Sequence, residues 1–558
     1  MSKIRTMNEV LDLIHDGATV AASGFLLWGL ADEVFKAVED RYLETGHPAG
    51  ITCVFTGSAG LENSGFDRWA HDGLIDNIIM GHCGLTPRIP AYINANKCRA
   101  YNFPLGVVQN MYRASLLKQK GFLSKIGLKT FADPRLDGGK MNDLTTEDLV
   151  KVVEFEGEEW LYYPVPKFDV ALIRGTTADE YGNISIEEEC GPMNMRDIAM
   201  GVKAAGGKVI VQVKYLSGDK LPGASIEIPG VFVDAVVVSK EPETYHRMTK
   251  NIYYDAARTG RFNIPTDSMA ELPLDARKVI ARRCAMELQP ESIVNLGIGI
   301  PTLVASVAGE EGFSADLIMS SEDGMLGGIP GTGDTFGSAV NAIGMLSMAY
   351  NFDLYNGGNL SMAVEGLAEC DAKGNINVGK FGTMMPGCGG FIDVTQLTPL
   401  VIFAGTFTAG GAKYQVADGK TEGCWYDADG NFVGDGLSTL DLTDDAAHAN
   451  WGGQWVMPTY EDMRELLDNT TSEWTTLNGV KGRTFTSKTN GNAIFIPAAC
   501  YRYGNLLYNQ DSGGTYWSST VDTSNSGNVY FLNFYAEDAV TFNFARFYGR
   551  SVRAVIRN

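Results

Sequence analysis

Glu322 lies in the stretch Met319-Ser320-Ser321-Glu322-Asp323-Gly324, which continues through Met325 and Leu326 to Gly327 and Gly328. The mostly apolar run before it, residues 315–319, reads as a buried strand, so the carboxylate follows the strand's C-terminal end. In an α/β fold that end is where ligands meet the sheet. The small and flexible residues around Glu322 would let a substrate approach with little side-chain obstruction. A strand-end turn carrying a solvated glutamate is the plainer reading of the same window.

Glycines add a second signal. Glycine turns at strand-to-helix junctions can present backbone N–H groups to an anion. Gly297 and Gly299 follow an apolar run, and Gly389 and Gly390 belong to the turn Gly387-Cys388-Gly389-Gly390. Each turn alone could equally serve close packing of strand against helix. Two halves that each offer such a turn, beside a carboxylate, point to an interdomain site.

The elements that must position these residues follow a βα rhythm. Strand-like runs at residues 18–22, 170–174, 208–213, 231–239, 293–296 and 400–404 alternate with helical patterns at 32–44, 273–286 and 301–308. This rhythm predicts an α/β fold with an open, mostly parallel sheet covered by helices. Two stretches read as copies: Asp179-Glu180-Tyr181-Gly182-Asn183-Ile184 and Asp371-Ala372-Lys373-Gly374-Asn375-Ile376 share the pattern D-x-x-G-N-I. The Asp can cap a turn and the Gly can take positive φ. Residues 20–25 and 294–301 form a second pair, each a strand, glycines, then a helix. Two related α/β domains are expected, residues 1–262 and 263–420.

Composition narrows the function classes. The chain has 558 residues and a formal net charge of −22, which argues against a nucleic-acid binder. Nine scattered Cys lack CxxC spacing, and six His are also scattered. This fits reduced thiols in a cytoplasmic protein, with no metal site. The first residues form an amphipathic helix pattern without a signal-peptide core, and no run of about 18 apolar residues occurs. Past residue 420 the composition shifts toward Trp, Asn, Tyr, Ser and Thr. A turn at 426–431 offers oxygens but lacks the later ligands of a calcium loop. A helix with Thr459 as its N-cap is expected there, then short strands ending in an antiparallel meander over 529–535, 540–544 and 551–556. Residues 421–558 thus read as a third, α+β domain.

The first 415 residues resemble the family I acyl-CoA:carboxylate CoA-transferases of the propionate or short-chain type. The resemblance is carried, in order, by Gly81-His82-Cys83-Gly84-Leu85-Thr86-Pro87, Thr130-Phe131-Ala132-Asp133-Pro134-Arg135, Gly138-Gly139-Lys140-Met141-Asn142 and Arg174-Gly175-Thr176-Thr177. It continues through Asn295-Leu296-Gly297-Ile298-Gly299-Ile300-Pro301, Ser321-Glu322-Asp323-Gly324, Asn375-Ile376-Asn377-Val378 and Gly405-Thr406-Phe407-Thr408-Ala409-Gly410-Gly411. It implies two CoA-transferase domains with Glu322 as catalytic nucleophile. The expected chemistry is ping-pong transfer through an acyl-glutamyl anhydride and a glutamyl-CoA thioester. No permanently bound cofactor is implied; the coenzyme A thioester is a substrate. Gly297, Gly299, Gly389 and Gly390 are expected to line the CoA site or to donate backbone N–H groups to oxyanions.

Three features depart from the family pattern. Asp323 stands where relatives often carry an uncharged residue, and its charge is expected to raise the pKa of Glu322. Leu105 stands where some relatives have Gln. After about residue 420 the family's closing segment is missing, so the second domain reads as truncated. The sequence that follows resembles the C-type-lectin-like or formylglycine-generating-enzyme-like fold, including the variable proteins of diversity-generating retroelements. The quoted matches are residues 446–459, Tyr516-Trp517-Ser518-Ser519 and Gly549-Arg550-Ser551-Val552-Arg553. This implies a ligand-binding face with Tyr530, Asn533, Tyr535, Asp538, Asn543 and Tyr548 as its positions, although alternate aromatics also serve ordinary sheet packing.

The expected function is therefore CoA transfer between short-chain acyl-CoA and carboxylates, with a C-terminal module for a protein or other ligand. The expected assembly is a homo-oligomer, without nucleic-acid or membrane partners. The alternatives are a non-catalytic binding or display protein on a CoA-transferase scaffold, and an acyl-CoA hydrolase using the same Glu322.

Overall fold

Apolar β-branched runs flanked by helices build one parallel and one mostly parallel sheet in the first part of the chain. The computed structural model describes residues 2–265, 271–312, 317–371, 374–382, 384–406, 408–409, 412–413, 447, 454–499, 501–503, 506–508, 512–522, 528–545 and 551–556. The turn at 426–431, Tyr548, Gly549, Arg550, Gly410 and Gly411 lie outside the described residues. The chain divides into two compact units, Met1–Tyr414 and Gln415–Asn558.

In the first unit, seven strands form one sheet: β1 (Thr19–Ala22), β2 (Ile51–Phe55), β3 (Ile75–Met80), β4 (Arg99–Asn102), β5 (Val170–Arg174), β6 (Lys208–Val213) and β7 (Ala235–Val238). Their order is β7-β6-β5-β1-β2-β3-β4, and every pairing is parallel. Alternate residues feed two cores: Val20 and Ala22 pack on one side of the sheet, Ala21 on the other. Burial on both faces explains why these strands read as continuous apolar runs. Helices α1 (Asp32–Thr45), α2 (Leu105–Leu116) and α3 (Met195–Ala204) accompany this sheet.

The second sheet contains β8 (Ile293–Leu296), β9 (Ile318–Ser320), β10 (Met325–Leu326), β11 (Gly344–Met345), β12 (Met362–Glu365) and β13 (Val401–Phe403), in the order β11-β10-β9-β8-β12-β13. Its helices are α4 (Leu303–Glu310), α5 (Met348–Asn356) and α6 (Phe391–Gln396). Strands β9, β8, β12 and β13 are parallel, while β10 pairs antiparallel with both β9 and β11. In each sheet the strand order reverses beside one central strand, β1 in the first and β8 in the second. Such a reversal opens a crevice at the C-terminal strand ends.

The two D-x-x-G-N-I copies have the same geometry. Asp179 accepts from the backbone N–H and side-chain amide of Asn183, and Asp371 accepts from the same two groups of Asn375. Gly182 has φ +78° and Gly374 φ +81°, as each turn requires.

The second unit contains α7 (Tyr460–Asn469) and six longer strands, β14 (Thr470–Leu477), β15 (Val480–Ser487), β16 (Ala493–Pro497), β17 (Gly513–Val521), β18 (Asn528–Tyr535) and β19 (Ala539–Ala545). They make two antiparallel three-stranded sheets, β14-β15-β16 and β17-β18-β19. Thr459 caps α7 in a reciprocal box with Asp462. Met463, Phe485, Ile496, Tyr516, Leu532 and Phe534 form the core of this unit. The expected terminal meander is corrected in its last member. Val555–Ile556 leaves β18 and β19 and pairs with Trp455–Val456, near the start of the unit, so β17 supplies the third meander strand.

Candidate active site

Glu322 follows the C-terminal end of β9, in the turn that leads into β10. The turn is pinned from several sides. Ser321 N–H donates to Met325 O at 3.0 Å, Gly324 N–H to Ser321 O at 2.9 Å, and Leu346 N–H to Gly324 O at 2.8 Å. Gly324 has φ +111°, and a Cβ there would lie 2.1 Å from Leu346 O, so this position demands glycine. Beneath the turn, the Asn351 amide donates to Ser321 O at 2.9 Å and to the Tyr355 hydroxyl at 2.8 Å. Asn295 donates to the same hydroxyl at 3.1 Å, and Ser320 Oγ also bonds it. This buried network fixes the floor under Glu322.

The carboxylate opens into a cavity of about 460 Å³ between the two sheets' strand ends. Its walls are mainly apolar, with Phe25, Leu105, Leu296, Phe336, Met384 and Phe391 among them. Phe25 of the first half meets Phe336 of the second with ring centroids 5.8 Å apart. Among the described residues, no Lys or Arg lines this cavity.

The opposite wall is the turn before α6, stitched to the first half. Gly389 N–H donates to Gly81 O and Leu105 N–H to Gly389 O, both at 2.9 Å. Asn102 accepts from Cys388 N–H at 2.9 Å and donates its amide to Met80 O at 3.0 Å and Gly81 O at 2.6 Å. These bonds bring Gly390 against Glu322: a Cβ on Gly390 would lie 2.4 Å from Glu322 Oε1, and the Gly390 N–H favours the charged form of Glu322.

The four expected glycines therefore differ in role. Gly390 abuts the Glu322 carboxylate. Gly297 and Gly389 line the cavity, but their N–H groups are committed to Val364 O and Gly81 O. They cannot serve as free donors, because the turns need those bonds for their own backbone. Gly299 has φ +95°, lies outside the cavity lining, and accepts from Thr302 Oγ1 at 2.8 Å through its carbonyl.

Burial, then the charges of Asp393 and Asp323, pushes Glu322 up to about 8; the Gly390 N–H opposes this. Asp323 is itself buried, accepts from Ser321 Oγ, and rises to about 7 through burial. Asp393, also fully buried, accepts from Gly106 N–H at 3.1 Å in the first turn of α2, and burial raises it to about 7. Glu365, the last residue of β12, is driven well above the carboxylate range by burial and then by the charge of Glu322. Sequence reading named Asp323 but missed Asp393 and Glu365, because nothing in their local pattern shows that three strand ends and a helix converge. His82 was quoted only as part of a motif. It lines the cavity, sits 3.0 Å from Ser58 Oγ through Nδ1, and is pushed down to about 4 by burial.

This arrangement can do one thing well. A carboxylate in a mainly apolar cavity, with a backbone N–H beside it, can form an acyl bond and stabilise the oxyanion made when that acyl is attacked.

A family model described as coenzyme A transferase matches residues 4–239. A caffeate CoA-transferase of Acetobacterium woodii is 43% identical over 428 residues, which is 75% of this chain and 81% of that protein. The chain belongs to the coenzyme A transferase family. An acetate CoA-transferase of Escherichia coli is 38% identical over 423 residues, 75% of this chain and 78% of the relative. An acyl-CoA transferase of Escherichia coli, solved as a thioester complex with CoA, superposes with a TM-score of 0.68 at 35% identity, covering 75% of this chain and 79% of that one. As a member of this family the chain is an enzyme of CoA transfer.

In the second unit, the expected ligand positions separate. Strand periodicity places Tyr530 with Leu532 and Phe534 on the core side of β18, and Asn533 and Tyr535 on the other side. Asn543 is directly opposite Tyr530 and donates to Asp522. Tyr530 packs on Tyr460 of α7, with ring centroids 4.4 Å apart. Asp538 closes the turn between β18 and β19, where Tyr535 N–H donates to its carbonyl at 2.9 Å. The far side of this sheet also carries Phe542 and Phe544, each about half exposed. The described positions thus occupy two faces and a turn.

Proposed function

We propose that this enzyme moves CoA from a short-chain acyl-CoA to a carboxylate acid through a glutamyl-CoA thioester on Glu322. The observation that carries the reading is the Glu322 carboxylate, which opens into a mainly apolar cavity with the Gly390 backbone against it. Glu322 attacks the acyl-CoA carbonyl and expels CoA thiolate, giving an acyl-glutamyl anhydride. The thiolate attacks the Glu322 carbonyl and releases the first acid. The Gly390 N–H is then placed for the oxyanion on that carbonyl. The acceptor carboxylate attacks the glutamyl thioester and the steps reverse. Apolar walls keep water from the thioester, which separates transfer from hydrolysis.

The relatives' caffeate and acetate substrates bracket the size of acid this cavity would take. The second unit is read as a ligand- or partner-binding module of C-type-lectin-like kind, supported by its two antiparallel sheets and the part-exposed Asn533 and Tyr535 on the far side of β18.

Trapping tests the central step. The protein is incubated with a short-chain acyl-CoA and reduced with borohydride, which converts a glutamyl thioester to an alcohol. A loss of about 14 Da on Glu322, dependent on acyl-CoA, is expected. An unmodified Glu322 in folded protein across several acyl-CoAs would refute the route. Hydrolysis exceeding transfer would favour a hydrolase.

A further inference from the structure

Glu365 is a buried carboxyl group that the transfer steps do not use. It ends β12, beside the strand-order reversal at β8, and lines the same cavity as Glu322. The residue is 7% exposed. Its Oε1 is buried and has no hydrogen-bond partner among the described residues. Gly297 makes room for it: a Cβ on Gly297 would lie 2.3 Å from Glu365 Oε2. No cation lines the cavity to pair with it, and no three His, Cys, Asp or Glu side chains among the described residues are grouped to hold a metal ion.

A buried polar atom without a partner is costly, and folded proteins rarely leave one. At the floor of a substrate cavity, the natural partner arrives with the substrate. Burial, and then the charge of Glu322, push the Glu365 carboxyl well above the carboxylate range and so favour its acid form. It can then donate an O–H, a property a carboxylate lacks. The acceptors that suit an O–H donor in an apolar cavity are neutral oxygens. Because β9 and β12 flank β8, Glu322 and Glu365 rise from strands about 10 Å apart and meet across the end of β8. An acyl chain bonded at Glu322 would occupy the cavity that Glu365 also lines.

We propose that Glu365 is a specificity-determining residue that hydrogen-bonds a hydroxyl or keto oxygen carried on the acyl chain of the substrate acid. The preferred acids are then short oxygen-substituted ones, rather than plain alkanoates. This rests on the reading of Glu322 as the acyl-accepting group.

Purified full-length protein is assayed with acetyl-CoA as donor and paired acceptors, lactate against propionate and β-hydroxybutyrate against butyrate. The hydroxy acid of at least one pair is expected to have the higher kcat/KM, by about tenfold. Glu365→Gln keeps an N–H donor and is expected to retain that preference within about threefold. Glu365→Leu and Glu365→Met have no polar hydrogen and are expected to abolish it, with the loss confined to the substituted acid. Two apolar variants are used so that one that fails to fold leaves the other to decide. A wild-type preference for the plain acid in both pairs overturns the proposal. So does an unchanged preference in a folded Leu or Met variant. In either case a borohydride-trapped Glu322 with active transfer leaves the glutamyl-CoA reading standing. No transfer to any acid and no trapped Glu322 removes both.

Discussion

On the proposed route Glu322 attacks only as a carboxylate, yet its surroundings favour the acid. Burial and the charges of Asp393 and Asp323 hold it at about 8. At neutral pH most molecules therefore carry a protonated Glu322, and the reactive fraction grows as pH rises. The expected profile of kcat/KM climbs with pH to a midpoint near 8. Asp393 is the larger of the two charge effects, so Asp393→Asn should shift the midpoint to lower pH and raise activity at pH 7. Asp323→Asn should shift it less. An Asp393→Asn profile that overlays wild type would show that the two carboxyls do not communicate. Leu105 lines the same cavity with an apolar side chain, so it offers the reacting groups no polar contact. Glu322→Gln keeps the shape and removes the nucleophile, and transfer should fall by at least about a thousandfold.

At the scale of elements, the site is made by a joint between two halves. Asn102, the last residue of β4, spends three hydrogen bonds holding Cys388 and its turn against Gly81. That turn delivers the Gly390 N–H to Glu322. Asn102→Ala leaves the Cys388 N–H and two carbonyls without this partner in a buried place, at a cost of about 1–3 kcal/mol. The loss should appear both as a lower denaturation midpoint and as a lower kcat, with KM less affected, because the oxyanion donor is displaced. A lowered midpoint with unchanged kcat would show that Gly390 is held by other means. The joint also explains what the sequence could reveal of the site. Glu322 and its glycine-rich turn are contiguous, and strand-end position makes them visible. Gly389 and Gly390 are visible as a turn, but which amide stays free depends on partners hundreds of residues away. Asp393 and Glu365 become site residues only when α2, α6, β8 and β12 meet, a convergence that local periodicity does not encode.

At the scale of the molecule, the repeated turns were legible because they follow local rules. The D-x-x-G-N-I turns and the two strand–glycine–helix units need only nearby residues to form, and both recur as read. The second unit was less legible: its antiparallel pairings are set by distant partners, so the last strand was expected in the wrong sheet. The first unit carries one thermodynamic signature of its own. Glu322, Asp323, Asp393 and Glu365 all sit above ordinary carboxylate values, the first three at about 8, 7 and 7. In the unfolded chain they titrate near 4. Between those limits the folded state binds more protons than the unfolded state, so stability falls as pH rises. Their contribution is whole below about pH 4 and is lost progressively through pH 7 and 8. The carboxyls that stabilise by pairing, such as Glu189 held down at about 2 between Arg174 and His246, work in the opposite sense but only at acid pH. Unfolding by urea at pH 6 and pH 8.5 should therefore show a lower midpoint at the higher pH. The double variant Asp323→Asn with Glu365→Gln should narrow that difference, since neither amide titrates. An undiminished difference in the folded double variant would place the pH dependence elsewhere, in the general repulsion of a chain whose net charge is −22.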